Sequence, residues 1–117
     1  MSAFNRVRVA AQCRCHGGNA PFWVQFKYGD TWQYDYSVGD HLRWGGNDIG
    51  QPGAAEVVVA GIAEVCPVCG CDVEEEFEVW IRDDRIDAVV PVSGRYKQAL
   101  AGSEFGYVIT RVGQEGR

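Results

Sequence analysis

A mainly β fold with little helix follows from three features of this chain. Short segments alternate apolar and polar residues, Gly- and Asp-containing turns separate them, and only one brief stretch has helical periodicity. Seven or eight strands of this kind build a small antiparallel β-sandwich or a partly open barrel. With 117 residues, the chain is expected to form a single domain over residues 1–117, around one modest core.

The elements follow in order. Residues 4–12 alternate Val7 and Val9 with Arg6 and Arg8, a half-exposed strand that ends at the first cysteines. Residues 15–21 form a loop by composition. Residues 22–28 and 31–36 are aromatic-rich strands, and Gly29-Asp30 between them reads as a two-residue hairpin turn. In that register one face carries Trp23, Gln25, Lys27, Trp32, Tyr34 and Tyr36, and the other carries Phe22, Val24, Phe26, Tyr28, Gln33 and Asp35. A single bulge would instead merge the Phe22 set with Trp32, Tyr34 and Tyr36. Residues 41–44 make a short strand, and the glycine-rich run 45–53 is expected to be the mobile loop. Residues 56–65 are rich in valine and read as a buried strand leading to Cys66. Residues 77–81 and 86–92 pair across a turn at Asp83-Asp84, with Glu76 and Glu78 pointing outward. Residues 95–101 form one or two helical turns closed by Gly102, and residues 104–112 make the last strand.

Composition narrows the function classes. Hydrophobic residues make up 46% and charged residues 23%, as in ordinary folded proteins. No apolar run reaches the roughly 20 residues of a membrane span, and residues 1–6 carry no secretory pattern, so a cytoplasmic location is expected. Net charge is −5, and half of the acids lie between Asp72 and Asp87. The plain reading is a solvated face. The sharper one is a docking surface, centred on Glu74, Glu75, Glu76, Asp83 and Asp84, for a basic partner protein. Direct binding to nucleic acid is not expected without clustered Lys and Arg.

The five cysteines fall in two clusters about fifty residues apart, Cys13-Arg14-Cys15 and Cys66-Pro67-Val68-Cys69-Gly70-Cys71. The odd count argues against a disulfide framework. Two short pairs from distant segments suit a tetrahedral thiolate site, and Pro67 and Gly70 shape the turn that aims both sulfurs at one point. The segment Cys66-Pro67-Val68-Cys69-Gly70 resembles the knuckle of zinc-ribbon and rubredoxin-like proteins. That resemblance implies Cys66 and Cys69 as metal ligands and a structural zinc as the cofactor, with iron as the alternative metal. Cys13 and Cys15 are the first choice to complete the site, with Cys71 and His16 as substitutes. Reduced cysteines packed as small apolar residues are the plain alternative, and a redox Cys66-x-x-Cys69 pair is the weakest reading. An all-cysteine shell points away from hydrolysis, which keeps one position for water.

No catalytic set stands out. Asp40 and His41 are strand neighbours facing opposite ways, and Ser37, Ser93 and Ser103 lack a nucleophile elbow. The reading is therefore a non-enzymatic, zinc-stabilised acidic module that docks on a protein partner, for example as an immunity protein neutralising a toxin. One alternative is a small enzyme or ligand-binding domain using the aromatic hairpin 22–36 (Trp23, Lys27, Trp32, Tyr34, Tyr36) and the loop 45–53. The other is a structural accessory subunit.

Overall fold

A computed structural model describes residues 4–13, 15–72, 76–103 and 106–111. Nine strands and one helix follow in order: β1 (Asn5–Gln12), β2 (Asn19–Phe26), β3 (Gly29–Asp30), β4 (Asp35–Ser37), β5 (Asp48–Ile49), β6 (Glu56–Ala63), β7 (Glu76–Arg82), β8 (Arg85–Pro91), α1 (Gly94–Ala101) and β9 (Tyr107–Arg111). Seven of the strands form a single sheet in the order β4-β1-β2-β6-β7-β8, with β9 also on β6. The sheet curls into a half-barrel, so the β-rich expectation takes its barrel form and not the two-layered sandwich. Among the described residues no helix is long and apolar enough to cross a membrane.

β6 is the hub. One of its edges pairs with β7 over Glu56–Ile62, and the other is shared by β9 at Glu56–Val59 and β2 at Gly61–Ala63. Gly61 makes that crowding feasible, because a Cβ there would lie 2.6 Å from Val24 Cγ1. The inner faces of these strands form the core. Val7, Phe22, Val24, Phe26, Val57, Val59, Phe77, Val79 and Ile81 are all buried, at the period-two spacing a curled sheet requires. The two sheet edges meet at one end only. There Gly39 N–H donates to Ile86 O (2.7 Å), Ile86 N–H to Asp40 O (2.9 Å) and Leu42 N–H to Asp84 O (2.8 Å). At the other end β1 and β8 diverge around a cleft of about 380 Å³, lined in part by Val9, Phe77, Val89 and Pro91.

Several expectations need correction. The 22–28/31–36 hairpin does not form: β2 pairs with β1 and β6, while Asp35–Ser37 joins β1 in parallel. The cause is Asn5, fully buried at the start of β1. Its amide donates to Tyr28 O and Asp30 O, each at 3.1 Å, and its carbonyl accepts from Tyr34 N–H at 3.1 Å. Three bonds from one buried side chain hold residues 28–34 as a wide crossover, and Gly29-Asp30 pairs with β5 instead of turning. The register question resolves with Phe22, Val24, Phe26 and Tyr28 inward, joined by Tyr36.

The run 45–53, expected to be mobile, is laced down. Asn47 N–H donates to the Asp30 carboxylate at 2.8 Å, the Gly45 and Gly46 amides donate to Asp48, and Gly53 N–H donates to Asp84. Residues 41–44 contribute only an isolated bridge, His41 to Arg85. Glu78 does not point into solvent. It is 2% exposed and accepts from Trp80 Nε1, Ser93 N–H and Ser93 Oγ; Ser93 leads into α1, whose Tyr96 ring meets Trp80 edge-on.

Candidate metal centre

Two chain reversals build the site. The first is the β1–β2 hairpin loop, residues 13–18, and the second follows β6, residues 66–71. They are copies of each other in backbone bonding. Gly17 N–H donates to Cys13 O at 2.8 Å and Gly70 N–H to Cys66 O at 2.8 Å; Cys13 N–H donates to Gly18 O at 2.9 Å and Cys66 N–H to Cys71 O at 2.9 Å. The glycines share the left-handed conformation, with φ +79° at Gly17 and +73° at Gly70. The chain therefore repeats one device: Cys-x-x-His-Gly at 13–17 and Cys-x-x-Cys-Gly at 66–70.

Because each device presents its first and fourth side chains to the same side, Cys13, His16, Cys66 and Cys69 converge. Their ligand atoms all lie within 4.8 Å of one another, a constellation that can hold a metal ion and is compatible with a zinc site. Zinc–sulfur bonds of about 2.3 Å and a zinc–nitrogen bond of about 2.0 Å at tetrahedral angles set sulfurs about 3.8 Å apart, and sulfur and nitrogen about 3.5 Å apart. The two contacts that test this agree: Cys13 Sγ to Cys69 Sγ is 3.7 Å, and Cys66 Sγ to His16 Nε2 is 3.4 Å. Those two edges match a tetrahedral ion, and the four donors together could hold a metal.

The local field favours thiolate at Cys66. Burial pushes its thiol up, but the Cys69 and Val68 amides, His16 and Cys13 together outweigh burial and bring it down to about 6. Cys69 goes the other way. The Cys71 amide lowers it, while burial and the neighbouring Cys13 and Cys66 sulfurs together push it above its ordinary value. Gly18 N–H donates to His16 Nδ1 at 3.2 Å, which leaves Nε2 aimed at Cys66. A metal held through Nε2 would require the neutral ring with its proton on Nδ1, where Gly18 N–H could no longer donate.

Three of the four first-choice ligands, Cys13, Cys66 and Cys69, are brought together. The fourth, Cys15, lies outside the quartet and is joined to Cys71 in a disulfide, where reduced thiols were expected. The loop turn rotates Cys15 away from the point that Cys13 and His16 share. His16, a substitute in the sequence reading, takes the fourth place. The signal that identifies it is its spacing, since His16-Gly17 follows Cys13 as Cys69-Gly70 follows Cys66.

Of the remaining candidates, Tyr34 and Tyr36 are in ring contact, with centroids 6.2 Å apart, and the others stand elsewhere. Tyr36 is in the core and its hydroxyl accepts from Arg43 N–H. Trp23 lies outside, stacked between the Arg6 and Arg8 guanidinium groups at 4.3 and 4.8 Å. Trp32 is 67% exposed, Lys27 is exposed, and Tyr34 stacks under Arg43. No common platform joins these five. Of the acidic set, Glu74 and Glu75 lie outside the described residues. Glu76 is exposed at the metal end of β7, while Asp83 and Asp84 form the turn at its far end, a strand length of roughly 20 Å away. Asp84 accepts from Gly53 N–H, and Asp83 is exposed. No family model, no curated protein and no solved structure matches this chain.

Proposed function

We propose that this chain is a zinc-stapled docking module, with the ion held by Cys13, His16, Cys66 and Cys69 in a structural role. The observation that carries the reading is the matched pair of knuckles, which bring four donors within 4.8 Å of one another, with one sulfur–sulfur and one sulfur–nitrogen distance at tetrahedral edge lengths. Four protein ligands fill a zinc shell and leave no position for a reacting water, so the ion shapes the protein and does not activate a substrate. Zinc suits the mixed thiolate–imidazole set; rubredoxin-type iron is the metal that the same experiment separates from it. Elemental analysis of protein purified without chelator is expected to find one zinc per chain, and cobalt substitution to give the visible absorption of a tetrahedral thiolate site. Metal-free protein with every thiol titrating freely would refute the reading.

The docking half rests on charge. Net charge is −5, and exposed Glu76 and Asp83 stand at the two ends of the β7–β8 hairpin. Such a surface favours a basic protein partner, in the manner of an immunity protein that covers a toxin, by speeding encounter and disfavouring acidic competitors.

A further inference from the structure

Five cysteines divide into three ligands and one pair, and the pair has a place of its own. Cys15 sits inside the first knuckle, between ligands Cys13 and His16, and is exposed. Cys71 ends the second knuckle, half-buried, fixed through its carbonyl to the Cys66 amide. Their disulfide spans 56 residues and joins the same two chain segments that the quartet joins. Neither sulfur belongs to the quartet.

We propose that Cys15 and Cys71 form a redox-active pair, distinct from the ligands, whose oxidation state sets how firmly the two knuckles hold their metal. The co-reactant is a small disulfide of the glutathione class. One thiolate attacks it, forming a mixed disulfide and releasing one small thiol; the second thiolate then displaces the other. The Cys15–Cys71 bond forms, the small disulfide's bond breaks, and two electrons and two protons leave on two small thiols. Exposure of Cys15 gives the attacking reagent access. The three ligand thiolates are shielded from the same chemistry while they bind metal, so oxidation selects the pair.

The consequence for the metal is one of effective concentration. In the reduced protein the β2–β6 pairing keeps the two turns neighbours, but once the ion is lost no covalent tie holds their tips together. In the oxidised protein the bridge keeps them adjacent, so an ion that loses one ligand is recaptured before it escapes.

The proposal rests on the metal reading above, and one experiment keeps the two apart. Zinc-loaded protein is divided into a sample reduced with a non-thiol reductant and a sample oxidised with glutathione disulfide. Intact mass and free-thiol counts are taken on both, and zinc release to a chelator is timed. Oxidation is expected to remove two hydrogens without a glutathione adduct and to slow zinc release about ten-fold or more. The Cys15→Ser/Cys71→Ser double variant should release zinc at the reduced rate under both conditions. Should that variant not fold, the two states of the natural chain still decide the question. Zinc bound in both states with one release rate, or no Cys15–Cys71 bridge after oxidation, overturns this proposal alone. No zinc in either state overturns the metal reading, and this proposal with it.

Discussion

Alanine at Gly17 and at Gly70 is a matched pair of perturbations, because the two sites differ only in which knuckle they close. Both glycines have φ between +70° and +80°, and a Cβ at either would meet nothing within 4 Å. Steric exclusion is therefore absent, and the whole cost is conformational. Holding an L-residue in the left-handed region costs about 1–2 kcal/mol. The turn is required when both knuckles converge on a metal, so the cost is read as weaker binding, about five- to thirty-fold per substitution. Chelator competition on each variant measures it, with circular dichroism showing that the sheet is intact. Equal losses from Gly17→Ala and Gly70→Ala are expected, with the double variant losing close to the product. A substantial loss at Gly70 with none at Gly17 would refute the equivalence of the knuckles and remove His16 from the ligand set.

Other perturbations test neighbouring parts of the structure. Cys66→Ser, Cys69→Ser and Cys13→Ser should each abolish stoichiometric metal and destabilise the fold, whereas Cys71→Ser should retain one ion per chain by elemental analysis. Glu56 accepts from Thr110 Oγ1 and Arg82 Nε, both at 2.8 Å, so Glu56→Ala should lower unfolding free energy by about 2 kcal/mol in urea titrations. The Thr110 bond, with Arg82, holds the Glu56 carboxyl below its ordinary value despite burial. Its stabilisation is therefore full above the usual carboxylate range and disappears as pH falls through the lowered folded value; the gap between wild type and Glu56→Gln should close there. Gly61→Ala should cost about 1–3 kcal/mol, because its Cβ would overlap Val24 in a packed core, and thermal melting reads the shift. Glu76→Lys should leave melting nearly unchanged while slowing association with a basic partner, and added salt should slow the wild type likewise.

Much of the strand content is legible because alternation is a local signal. Phe77, Val79 and Ile81 face the core as their spacing implies, and the Asp83-Asp84 turn appears with both residues at positive φ. Where the reading fails, the deciding interaction is distant along the chain. Asn5 looks like the polar lead-in to a strand, yet its three bonds to residues 28–34 override a hairpin that Gly29-Asp30 would otherwise favour. Glu78 has the expected parity for an outward residue, but Ser93, fifteen residues further on at the entrance to α1, donates to it. Parity names a face of the sheet; it does not say what covers that face.

The candidate metal centre follows the same division. Cys66-x-x-Cys69-Gly70 is a local turn, so its candidate ligands are readable from spacing and glycine alone. The first knuckle hides its identity because Cys15 offers a second sulfur one residue short of the correct position. Chemical preference for thiolate then competes with geometric preference for the fourth residue of the turn. Geometry decides, since only the first and fourth positions of this turn converge, and the bonds that enforce it, Gly17 N–H to Cys13 O and Cys13 N–H to Gly18 O, are backbone bonds indifferent to side-chain chemistry. A sulfur at the third position must find another partner, and the matching surplus sulfur stands at Cys71 on the facing knuckle. That pairing needs the two turns to be brought face to face by the sheet, which no spacing rule within either cluster could show.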